Sequence, residues 1–278
     1  MANGMPRDEA SPRTLTLRTI NVIGPAMAIF RFIAFCLIVL ALPGSLMSTG
    51  DPQLIDLGKL ALILSPAVGG FALNAGLGHR GERVQWHAVA IAALVTLSVA
   101  GIALAASLLA GASMFGGERF APEHAAAALG GTALTSVLEE LGWAGGGLAL
   151  ALQAFGRRAG VAILGVVWAA WHLIPAFLKV GLFPELESAP PLMLAAFVVC
   201  CVLYRELLTR FVEQSHSWLG AAAGHAAPNL MLTGFVAAGL VILERPEAWP
   251  LFPAPGGIVF PLVVLAAIVL LRRFIRTA

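Results

Sequence analysis

Charge is scarce in this sequence. Only 12% of its 278 residues are Asp, Glu, Lys or Arg, about half the share found in soluble domains. Hydrophobic residues make up 59%, and the mean hydropathy is +0.89. This excludes a water-soluble globular fold for most of the chain and leaves an integral membrane protein. Cysteine is scarce too. Cys36, Cys200 and Cys201 all sit in apolar runs, which offers neither a disulfide framework nor a thiolate metal site. The single tyrosine, Tyr204, and six tryptophans suggest no surface for a nucleic-acid partner. The short alternating strands of a transmembrane β-barrel are missing. So are internal repeats and any polar stretch long enough to build a soluble core.

What is present is a series of long runs rich in Ala, Leu and Gly. Eight apolar segments can be marked, at about 26–47, 60–77, 86–110, 124–152, 159–178, 189–205, 216–242 and 255–271. Each is near the ~20 residues needed to cross a bilayer core. The expected fold is all-α, a polytopic bundle of about eight transmembrane helices. Residues 1–19 read as a polar cytoplasmic tail without the pattern of a cleaved signal peptide. Residues 20–278 read as one transmembrane domain.

Orientation is expected from the basic residues. With the N-terminus inside, twelve of the 17 Lys and Arg fall in inside segments, among them Arg157, Arg158, Arg205 and Arg210. Lys59, Arg119, Lys179 and Arg245 fall outside, and Arg31 lies within the first span. The expectation is a multi-pass protein of a prokaryotic plasma membrane with both termini cytoplasmic. Arg31 reads as a side chain reaching the interface.

Ionisable residues inside spans are costly and usually face a cavity or one another. Here they are Glu139 and Glu140 in the fourth segment, His172 in the fifth and His225 in the seventh. Asn229 follows His225 by four residues, on the same helical face. At 1.5 Å per residue, Glu139 lies at most about 27 Å from Arg157, His172 about 21 Å from Arg158, and His225 about 15–22 Å from the start of its helix. Three helices thus place their deep polar groups in one layer. A shielded carboxylate can activate a water, and an imidazole and a carboxamide can donate to an oxyanion. Hydrolysis of a peptide bond is a natural use of such a set. A proton or ion relay and an interhelical hydrogen-bond pair are the alternatives. The chain has no HExxH zinc motif and no GxSxG. His172, His225 and a Glu could hold zinc, but their spacing does not demand it, and no cofactor is expected.

Three local sequences sharpen this reading: Glu139-Glu140-Leu141-Gly142-Trp143, Trp168-Ala169-Ala170-Trp171-His172, and His225-Ala226-Ala227-Pro228-Asn229. In order, they resemble the EExxxR, [FW]xxxH and HxxxN blocks of the CPBP family. These are CAAX-prenyl-protease and bacteriocin-processing membrane proteins, also called the ABI family and related to the Ras-converting enzyme. The resemblance covers about residues 125–235, with Gln153 and Leu203-Tyr204-Arg205 also similar. It implies an intramembrane endopeptidase with a cytoplasm-accessible cavity, acting on a membrane-associated protein or peptide, prenylated in some members. By matching position, Glu139 and His172 would activate the attacking water. His225 and Asn229 would form the oxyanion site. Glu140 would support the site, and the tryptophans would line it.

One departure stands out. Ala144 occupies the place of the arginine that closes the first block, and Gly145, Gly146 and Gly147 follow it. Loss of that arginine is expected to leave a carboxylate less compensated, with Arg31 as a substitute from another helix. The departure also motivates a second expectation, a catalytically impaired member acting as an immunity or scaffold membrane protein. A third is an ion- or proton-coupled transporter. The glycines are expected to serve close helix packing.

Overall fold

A computed structural model describes residues 24–73, 83–116, 122–243, 246–253 and 257–275. The tail expected over 1–19, with Arg7, Arg13 and Arg18, lies outside the described residues, as do His79, Arg80, Arg119, Arg245 and Arg276. The architecture is all-α. Helix α1 spans Pro25–Met47, α2 Pro52–Leu73 and α3 Trp86–Leu109. Helix α4 spans Pro122–Gly142 and passes through a π-helical turn, Trp143–Gly147, into α5, Leu148–Phe177. A single turn, α6 (Pro184–Glu187), precedes α7 (Pro191–Ser215). Helix α8 (Trp218–Asn229) continues through another π-helical turn, Leu230–Gly234, and one further turn to Ala237. Helix α9 (Val259–Ile275) closes the bundle. A two-stranded antiparallel ribbon, β1 (Ser113–Phe115) with β2 (Val241–Leu243), ties the loop after α3 to the chain after α8.

The segment Ala125–Phe177 is 53 residues long, far more than one span requires. It is folded in two at Gly156, whose φ of 73° and ψ of 172° leave the helical region at a position where glycine carries no steric penalty. The reversal brings Gly160 onto the Ala151 carbonyl. It also puts Glu139 and His172, 17 residues before and 16 after the turn, at matching heights. Among the described residues eight helical rods result, in agreement with the eight apolar segments, although several boundaries move. Helix α2 starts at Pro52 rather than near 60. Helix α7 runs to Ser215, ten residues past the expected end, because no Gly or Pro interrupts the sequence from Leu192 to Leu219.

Outward faces are apolar: Leu109 is 90% exposed, Phe71 82% and Phe177 68%. Such a surface is stable against acyl chains and not in water. Inside, helices approach to backbone contact where glycines allow it. A Cβ on Gly142 would lie 1.9 Å from the Pro66 carbonyl carbon, and one on Gly146 would lie 2.3 Å from the Gly70 Cα. Helices α2 and α4 therefore cross at Gly70, Gly142 and Gly146, the packing role expected of this glycine-rich stretch. That contact fixes α4 just beyond Glu139 and Glu140.

Candidate functional site

Glu139 and Glu140 lie on α4, His172 on α5, and His225 and Asn229 on α8. Glu139, His172, His225 and Asn229 line one cavity of about 190 Å³, together with Trp168, Tyr204 and Glu185. Glu140 stands behind its wall. The sequence-predicted residues are thus brought together, with the two glutamates in different positions.

The Glu139 carboxylate is nearly buried, and its Oε2 accepts a hydrogen bond from the indole Nε1–H of Trp168 at 3.1 Å. His172 has its Nδ1 3.0 Å from the carbonyl oxygen of Trp168, four residues earlier. With Nδ1–H donating there, the lone pair of a neutral ring sits on Nε2. The His172 ring is held by Trp171, Phe183 and Phe197, with centroids 4.7, 4.9 and 5.4 Å away. Asn229 donates from Nδ2 to Ser136 Oγ at 3.0 Å, which ties α8 to α4 at the level of the site.

Glu140 is fully buried. Its Oε2 accepts from Arg205 Nη1 at 2.7 Å, its Oε1 from Arg205 Nη2 at 3.0 Å, and Oε1 also from His225 Nδ1 at 3.0 Å. Two parallel bonds of this kind are the strong arrangement for a guanidinium and a carboxylate. The guanidinium carbon also lies 4.3 Å above the Trp168 ring. Glu140 fixes the orientation of His225 through Nδ1, which leaves Nε2 for the cavity.

Several expectations are corrected here. Arg205 was expected in an inside loop; it is 1% exposed and lies within α7, because the helix continues past it. The carboxylate expected to lack compensation opposite Ala144 has it from Arg205. Arg31 is not the substitute, since its guanidinium meets the Leu73 carbonyl at 3.4 Å instead. Of the tryptophans, only Trp168 lines the cavity; Trp143 and Trp171 pack behind it. Access differs as well. The cavity reaches Phe183, Glu185 and Leu186 in the segment between α5 and α7. Arg157 sits at the far end of the bundle, just after the Gly156 reversal in α5, bonded to Glu206 and Glu213 of α7. A cavity facing the cytoplasm and an Arg157 end facing it too cannot both hold.

Prolines fix the walls. Pro66 in α2 and Pro228 in α8 each leave the carbonyl four residues earlier without a helical donor. The Leu62 carbonyl accepts from Trp171 Nε1–H at 3.0 Å, and the Gly224 carbonyl from the Tyr204 hydroxyl at 2.6 Å. In a membrane such groups need an internal partner, and here aromatic side chains of other helices supply it. Both π-helical turns near the site follow its residues directly: Trp143–Gly147 begins three residues after Glu140, and Leu230–Gly234 begins after Asn229. Turns of this type often occur at functional sites.

Sequence reasoning missed Arg205, the Trp168 and Tyr204 hydrogen bonds, Ser136 and Glu185. For Arg205 a signal existed, the unbroken helical stretch through Ser215. For the hydrogen-bonded ones, partners 20 to 93 residues apart leave no local trace. Among the described residues, no group of three His, Cys, Asp or Glu is arranged to hold a metal ion. Compared with known proteins, the chain matches no family model and no curated protein. The fold and site together define a multi-pass helical membrane protein whose deep polar side chains Glu139, His172, His225 and Asn229 share a cavity. Its likeness to the CPBP proteases rests on the three sequence blocks.

Proposed function

We propose that the protein is an intramembrane endopeptidase that hydrolyses a peptide bond of a membrane-associated substrate with a water activated by Glu139 and His172. The observation that carries this reading is the meeting of Glu139, His172, His225 and Asn229, from three helices, around one cavity. A transporter needs a path through the bundle. Here Glu140 and Arg205, both fully buried, fill the interior behind the cavity.

The roles follow from the hydrogen bonds. Trp168 holds Oε2 of Glu139 and leaves Oε1 to take a proton from water, while Nε2 of His172 accepts from the same water and orients it. The hydroxide attacks the scissile carbonyl carbon. Asn229 has a second Nδ2–H beyond the one given to Ser136, which it donates to the developing oxyanion. His225 joins it with both ring nitrogens carrying hydrogen, Nδ1–H bonded to Glu140 and Nε2–H donating to the same oxygen. Collapse of the tetrahedral intermediate breaks the C–N bond, and the proton held by Glu139 passes to the leaving amine. Glu140 and Arg205 touch no reacting atom; they position His225 and Trp168. The scaffold reading motivated by Ala144 loses its support once Arg205 compensates Glu140.

The basic residues still divide eleven to four after Arg205 is removed from the loops. On the positive-inside rule, the Arg157 end is cytoplasmic and the cavity is entered from the opposite face. The test is cleavage of a membrane-anchored reporter by purified protein. Glu139→Gln and His172→Ala each lower the rate at least ~100-fold with unchanged folding. Full activity in both variants overturns the proposal. Chelators leave the rate unchanged; loss of activity restored by zinc would replace the metal-free step.

A further inference from the structure

We propose that the cavity receives a cationic side chain or amine of its substrate and that the Glu185 carboxylate at its mouth is the receptor. The inference deepens the endopeptidase reading, and only the word substrate rests on it.

Glu185 sits on the single-turn helix α6, half-buried, and lines the cavity beside Phe183, Leu186, Phe197 and Phe260. Its neighbour Glu187 is engaged, accepting from the Gly181 N–H. Glu185 has no such partner among the described residues beyond its own backbone, and the charged group felt most there is Glu187, another carboxylate. The cation closest to the cavity interior, Arg205, is committed to Glu140. The mouth is therefore an apolar ring with an unbalanced carboxylate. Burial without a counterion is costly, and an entering ammonium or guanidinium offsets that cost. The aromatic rings of Phe183 and Phe197, which also line the cavity, suit the same guest.

The surroundings agree in sign. Among the described residues, this end of the bundle carries Asp51, Asp56, Glu185 and Glu187 against Lys59 and Lys179. A mouth lined by one sign of charge concentrates ligands of the other. An anionic or purely apolar guest would leave Glu185 unanswered.

The experiment uses the full chain carrying Glu139→Gln, in lipid nanodiscs, with three labelled apolar peptides that differ at one position: Lys, norleucine or Glu. The Lys peptide binds about 10-fold more tightly than the norleucine peptide, a ratio worth ~1.4 kcal/mol. The ratio falls to about one when Glu185→Gln is added, and Glu185→Lys favours the Glu peptide. Equal affinity for all three, binding of none, or a Lys advantage that survives Glu185→Gln overturns the proposal. Wild-type turnover separates the two readings. A Lys preference without cleavage keeps the cation receptor and removes the peptidase; cleavage without the preference does the reverse.

Discussion

Glu140 on α4 and Arg205 on α7 form a doubly hydrogen-bonded ion pair, at 2.7 and 3.0 Å, in which both side chains are shielded from solvent. The pair also binds His225 through Nδ1. Removing one partner leaves a buried uncompensated charge, which costs about 3–5 kcal/mol. Arg205→Met is expected to destabilise the protein by that amount in a detergent unfolding titration. The double variant Glu140→Gln with Arg205→Met recovers most of it, because no lone charge remains. A double variant as unstable as the sum of the singles would show that the pair is not the coupled unit described.

Tyr204 answers the carbonyl that Pro228 leaves open at Gly224. Tyr204→Phe leaves that carbonyl unsatisfied and costs about 1 kcal/mol. Pro228→Ala supplies a backbone donor for the same oxygen. In the Pro228→Ala background the Tyr204→Phe penalty shrinks toward zero, and a double-mutant cycle measures the difference. An undiminished penalty would mean that the hydroxyl acts elsewhere.

The α2–α4 crossing tolerates no side chain at Gly142, where a Cβ would lie 1.9 Å from backbone. Gly142→Ala should destabilise by about 3 kcal/mol. Gly130→Ala, on the same helix with open space around it, should be neutral or slightly stabilising. Equal thermal midpoints for the two variants would contradict the crossing.

Much of this structure was legible because lipid enforces a simple pattern. Eight apolar runs gave eight rods, and the cost of a buried charge marked Glu139, Glu140, His172 and His225. What stayed hidden was set by tertiary contact. Arg205 reads as a loop residue because Glu206, Arg210 and Glu213 follow it closely. Three of these polar residues do sit at the Arg157 end, bonded to Arg157 or to each other, while Arg205, on another face of the same helix, points inward. Compensation for Ala144 comes from a residue 61 positions away, which no local spacing reveals. The hydrogen bonds of Trp168 and Tyr204 left no sign in the sequence because the carboxylate and carbonyl they serve belong to other segments.

Glu185 lies outside the spans, and burial pushes its carboxyl above the usual value of about 4.5. The folded protein therefore favours the neutral form. Its stabilising contribution is complete below about pH 4.5 and fades as pH rises through the raised value. Glu185→Gln removes this dependence, so the thermal midpoint of the variant should gain on wild type between about pH 4 and pH 8. Parallel curves would contradict the burial described for Glu185.

The central claim is that Glu139 performs hydrolysis in this cavity. Membrane proteomes of cells carrying wild type or Glu139→Gln test it most directly. The account predicts at least one membrane protein that accumulates at full length in the variant and appears as two fragments in wild type. Identical proteomes, with the variant present at wild-type abundance, would contradict it.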